Sequence, residues 1–140
     1  MSPRDTRTGK VLETMVLPAL TRGGYSYDEQ VDIGTRLGGG RHKVDVLAVA
    51  KDGREYLISL KWQQTSGTAE QKVPFEVICL VDSVKESSGR YTRAYIVLGG
   101  DGWKLRDFYV TELEKYIPHS EYVTIMRLES FIAKANKGQL

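Results

Sequence analysis

Lys43-Val44-Asp45-Val46-Leu47-Ala48-Val49-Ala50, then Lys51-Asp52-Gly53, then Arg54-Glu55-Tyr56-Leu57-Ile58-Ser59-Leu60-Lys61-Trp62-Gln63: two alternating runs flank one turn signal. A period of two predicts a strand pair. In the first run Val44, Val46, Ala48 and Ala50 share one face, and Lys43, Asp45, Leu47 and Val49 share the other. In the second, Tyr56, Ile58, Leu60 and Trp62 oppose Leu57, Ser59, Lys61 and Gln63. A three-residue loop with Gly53 in the left-handed position pairs Ala50 with Arg54. Leu47 then meets Leu57, Asp45 meets Ser59, and Lys43 meets Lys61. A two-residue loop would set apolar faces against polar ones, which burial forbids.

The expected sheet face is apolar near the turn and polar at its far end. Asp45, Ser59, Lys61 and Gln63 gather there within roughly 5–8 Å as cross-strand and diagonal neighbours. A solvent-facing sheet side often carries such residues. Here the face also carries Leu47, Val49 and Leu57, so it calls for a cover. Thr68-Ala69-Glu70-Gln71 fits a capping box opening a helix. Its apolar stripe is Val73, Val77, Leu80, Val81 and Val84, and Glu70 lies on that stripe, facing the sheet. Pro74 removes one helical hydrogen bond and kinks the helix or resets its start.

An acid on one strand, an x-Lys motif on its partner and a following helix resemble the PD-(D/E)XK nuclease superfamily, with the restriction-endonuclease-like fold. Val44-Asp45 stands for its Pro-Asp, and Ser59-Leu60-Lys61 for (Asp/Glu)-x-Lys, with Gln63 as an extension found in some members. The departure is Ser59, where the pattern has an acid. Some members carry Ser there and take a glutamate from the next helix, which the resemblance assigns to Glu70. It implies Mg2+, with Mn2+ as a substitute, held by Asp45, Glu70 and the Leu60 carbonyl. Magnesium needs only one or two carboxylates, keeps several waters, and would charge-stabilise the attacked phosphate and acidify a water. Lys61 orients or deprotonates that water or neutralises developing charge, and Gln63 positions it. Glu13, on the line of Val16, Leu17 and Leu20, matches a first-helix outer ligand of the family; an exposed helix carboxylate is the equal alternative.

The length of 140 residues suits a single domain, 1–140, and the net charge of +2 permits nucleic-acid binding without demanding it. The lone cysteine, Cys79, excludes an intramolecular disulfide and suits a reducing cytoplasm, as a small buried hydrophobe. No membrane-length apolar run and no signal-peptide pattern stands out.

In chain order, residues 1–8 are polar and expected to fray. Residues 9–21 read as a helix that Pro18 disturbs and Gly23-Gly24 stops. Residues 25–33 read as a strand, and 34–42 as a flexible glycine-rich loop. From that region Arg36, Arg41, His42 and Lys43 are candidate DNA contacts, with Gln64, Thr65 and Ser66 beside the site. Residues 91–98 read as a doubly buried strand beside the Lys61 strand. Residues 104–117 read as a helix with Leu105, Phe108, Tyr109, Leu113 and Tyr116 inward, 122–128 as a strand, and 129–135 as a closing helix. Trp62 and Trp103 read as anchors.

The fold expected is α/β: an αβββαβ core with a mixed central sheet flanked by helices, plus a C-terminal helix-strand-helix. The resemblance implies a Mg2+-dependent endonuclease on double-stranded DNA, as a small restriction enzyme, its subunit, or a compact homing endonuclease. Cutting both strands needs two centres, hence a homodimer or a larger partner subunit. Ser59 keeps an inactive DNA-binding or accessory protein open, and fold alone leaves a structure-specific DNA or RNA nuclease open.

Overall fold

The computed structural model describes residues 6–140. Of the stretch expected to fray, residues 1–5 lie outside the described residues and residues 6–8 are helical. The first helical run comprises α1 (Thr6–Val11), a π turn (Leu12–Val16) and α2 (Leu17–Arg22). Pro18 was expected to disturb the end of this helix; instead it sits in the first turn of α2. The Leu17 N–H reaches back five residues to the Leu12 carbonyl. Proline has no N–H to donate and its ring crowds the carbonyl four residues back. The widened π turn gives it room, and the helix continues.

Five strands follow: β1 (Ser26–Arg36), β2 (Gly40–Val49), β3 (Glu55–Trp62), β4 (Tyr91–Gly99) and β5 (Val123–Arg127). They form one sheet in that order, antiparallel from β1 to β3 and parallel from β3 to β5. The helices α3 (Ala69–Lys85), α4 (Arg106–Thr111) and α5 (Leu128–Asn136) complete the described chain. The result is the mixed, helix-flanked α/β sheet read from the sequence.

The β2–β3 hairpin has the expected loop. The Ala50 N–H donates to the Arg54 carbonyl at 2.8 Å, Gly53 has φ +91°, and Leu47 faces Leu57. Farther from the turn the expectation fails. The regular β2–β3 ladder stops at Val46–Ile58, so the Asp45–Ser59 and Lys43–Lys61 pairs are not part of it. On the other edge β1 pairs Glu29 with Val46 and Val31 with Val44, and the intervening Gln30 has φ +52°. The pairing keeps its register across Gln30, but the strands roll there so that Val44 and Val46 lie on opposite faces; the register shift comes farther along, between Asp32 and Thr35. Val44 and Val31 therefore pack with Leu47 under α3, not with Val46 as the plain alternation had it.

The expected loop at 34–42 is mostly strand. Only Leu37, Gly38 and Gly39 turn the corner, with the glycines at φ +85° and +96°. The expected long helix at 104–117 splits into α4 and a 3-10 turn (Leu113–Tyr116). Glu112, at φ −128°, breaks the helical phase. Tyr109 and Leu113 stay buried, while Leu105, Phe108 and Tyr116 are exposed.

Each side of the sheet has its own core. On one, Val46, Ile58, Leu60 and Tyr95 pack against Leu12, Val16, Leu20 and Phe131. On the other, Leu57, Ile96 and Leu98 pack against Val73, Val77 and Leu80 of α3. Burial pushes the Tyr95 phenol up to about 12, so it stays neutral inside the first core. Among the described residues no helix is long and apolar enough to cross a membrane.

Candidate active site

β3 presents Ser59 and Lys61 toward α3, and α3 answers with Glu76. The Ser59 hydroxyl donates to Glu76 Oε1 at 3.2 Å. Lys61 Nζ stands 4.0 Å from the same oxygen. His42 Nε2, from a buried side chain on β2, stands 3.6 Å from it. The other ring nitrogen of His42, Nδ1, lies 3.5 Å from the Ser83 hydroxyl, about two turns farther along α3. Burial pushes the Glu76 carboxyl up; the His42 ring, the Lys61 ammonium and the Ser59 hydroxyl outweigh it and hold it below the ordinary carboxylate range. A half-buried carboxylate is thus kept ionised at the mouth of a cleft.

Asp45 sits where the β2–β3 ladder opens. Its Oδ2 accepts the Leu60 N–H at 2.7 Å, and its Oδ1 lies 3.5 Å from the Gln30 side-chain amide. In a continued ladder Leu60 N–H would pair with a backbone carbonyl of β2. A carboxylate has taken that place.

Glu70 is used differently from the expectation. Its side chain is buried, with Oε1 accepting Gln63 Nε2 at 3.0 Å and Lys104 N at 2.5 Å, and Oε2 accepting Leu105 N at 2.9 Å. Three donors on two oxygens make it a clamp between α3 and the loop after β4. Gln63 belongs to the same clamp: its amide also donates to the Gly102 carbonyl at 2.8 Å. That loop lies hard against the one after β3. A Cβ on Gly100 would come within 2.4 Å of the Gln63 backbone, and one on Gly102 within 2.5 Å of that of Thr65. Pro74, the awkward residue, stays within the helix. Its missing N–H orphans the Glu70 carbonyl four residues back, and the Tyr109 hydroxyl donates there at 2.6 Å. The capping box does not form; Thr68 is in the right-handed region and makes no side-chain cap.

The remaining sequence candidates scatter. Glu13 is exposed and forms no hydrogen bond or ion pair with the site. His42, expected to contact DNA from a loop, is 3% exposed inside β2. Arg41 is paired with Asp32 at 2.7 Å. Lys43, Gln64, Thr65 and Ser66 are exposed. Arg36 lines a cleft of about 420 Å³ together with Lys61, Gln71, Lys72, Phe75 and Glu76. Among the described residues no three His, Cys, Asp or Glu side chains converge as ligands.

Glu76 had no place in the cluster expected from the sequence, and His42 was expected in a loop. Both carried a signal: Glu76 stands three residues after Val73 and four before Leu80, on the inward arc of α3, and His42 alternates with buried Val44.

A model of the PD-(D/E)XK nuclease superfamily domain matches residues 4–139. No curated protein matches. Among solved structures, the protein of unknown function AF1548 aligns at 17% identity over 80% of this chain and 54% of its own, with a TM-score of 0.49. A repair endonuclease from Pyrococcus abyssi aligns at 20% identity over 91% and 48%, with a TM-score of 0.48. The EndoMS–dsDNA2 complex aligns at 15% identity over 86% and 42%, with a TM-score of 0.42. The chain spans about half the length of these structures.

Proposed function

The chain belongs to the PD-(D/E)XK nuclease superfamily, and on that footing we propose that it is a divalent-metal-dependent nuclease that hydrolyses DNA phosphodiester bonds, acting as one domain. One observation carries the reading. Two carboxylates from different elements attach to consecutive residues of β3, Glu76 to Ser59 and Asp45 to Leu60, and Lys61 comes next.

The donors suit a hard cation. Asp45 and Glu76 offer carboxylate oxygens, and magnesium needs no more than one or two. Because N–H and C=O of one strand residue point to the same neighbour, the Leu60 carbonyl opens toward the gap that Asp45 borders. Such a cation, Mg2+ or Mn2+, supplies Lewis acidity toward a phosphoryl oxygen and a more acidic water. Lys61, 30% exposed at the cleft, donates to the phosphate or the attacking water. Ser59 is a positioning group: its partner Glu76 is held too acidic to take a serine proton. Glu70 and Gln63 brace the scaffold that carries Lys61, and Glu13 is not needed in this ligand set. Cutting both strands calls for a second centre, from another copy or a partner subunit.

Supercoiled plasmid incubated in Mg2+ tests the reading. Wild type nicks it, and Asp45→Ala, Lys61→Ala and Glu76→Gln each slow nicking by about 10²-fold or more. Undiminished metal-dependent nicking by Lys61→Ala and Glu76→Gln contradicts it.

A further inference from the structure

The cleft beside Glu76 contains an aromatic ring that the fold does not use. Phe75 is 48% exposed and belongs to neither core. It immediately precedes Glu76 on α3 and shares the cleft with Arg36, Lys61 and Lys72. Across it lies the β1–β2 turn: a Cβ on Gly38 would meet the ring edge at 4.0 Å. A solitary exposed phenyl is ordinary on a protein surface. This one is held among three cations at the point where the chemistry is assigned.

Cations that track phosphates, alternating with an aromatic that stacks on bases, are how proteins hold unpaired strands. A base pair inside a duplex shows its edges to the grooves and keeps its faces in the stack. A ring in the cleft therefore finds a base face only where the strand is unpaired or locally melted. We infer that Phe75 stacks on an unpaired nucleobase next to the bond to be cut, so that the substrate is single-stranded or locally opened DNA. The inference rests on the nuclease reading of this site and narrows its substrate.

Fluorescence anisotropy without divalent metal tests it, with a labelled oligo-dT strand and a labelled duplex of the same length. Phe75→Ala is expected to weaken oligo-dT binding about tenfold, Phe75→Trp to preserve it, and neither to change duplex binding. The exposed position makes both variants foldable. Unchanged oligo-dT binding by Phe75→Ala, or an equal loss on the duplex, overturns the inference while plasmid nicking that depends on Lys61 still stands. A protein that holds oligo-dT through Phe75 yet cuts neither strand nor duplex in Mg2+ keeps the stacking surface and overturns the nuclease reading.

Discussion

Glu70 and Glu76 lie on one helix, six residues apart, and both turn inward. Their partners separate them. Glu70 is saturated by two backbone N–H groups and an amide, all within 3.0 Å. Glu76 meets one hydroxyl and two basic side chains across 3.2–4.0 Å, beside an open cleft. A carboxylate with its lone pairs filled by main chain holds structure together. One held only by longer contacts at an open cleft has oxygen lone pairs left to offer. On the proposed reading, the same residue type on the same helix serves stability at one end and chemistry further along.

Substitution at each position sharpens the contrast. Glu70→Ala leaves the buried N–H groups of Lys104 and Leu105 and the Gln63 amide without their acceptor. Urea unfolding should show a loss of about 2–4 kcal/mol, since hydrogen bonds to a charged group contribute more than neutral ones. Glu76→Gln, with partially exposed and longer contacts, should cost under about 1 kcal/mol at neutral pH. Equal losses would erase the distinction. Tyr109→Phe falls between them. It strands the Glu70 carbonyl that Pro74 cannot serve, for about 1–3 kcal/mol by the same unfolding measurement.

The smallest expected effect is on acid stability. Glu76 has its folded pKa below the ordinary 4.5, so its contribution is complete above that value and is lost as pH falls through the folded one. Wild type should therefore keep a constant advantage over Glu76→Gln from pH 7 to about 5 and lose it in more acidic buffer. A gap that widens on acidification would mean the shift has the opposite sign.

Much of this was legible in the chain. The apolar match of Leu47 with Leu57 and the glycine at 53 fixed the hairpin register, and the continuous apolar run at 91–98 marked the doubly buried strand. The roll at Gln30 and Asp45 was hidden, because a non-glycine residue in the left-handed region leaves no mark in composition. Choosing between the two glutamates was also beyond local reading. Both lie on the inward arc of α3, and what separates them is the loop at 100–105, which arrives some thirty residues later and delivers Lys104 and Leu105 to Glu70. The hydroxyl of Tyr109 that lets Pro74 sit within α3 is equally remote. His42 was misread because the glycines before it suggested a loop where strand alternation continues.

Calorimetric titration with Mn2+ of the wild type, Glu70→Gln and Glu76→Gln tests the central claim most directly. The account predicts that the wild type and Glu70→Gln bind the ion alike, although the second is less stable, and that Glu76→Gln does not bind it. Binding that survives in Glu76→Gln and disappears in a folded Glu70→Gln would contradict it and return the second carboxylate to the start of the helix.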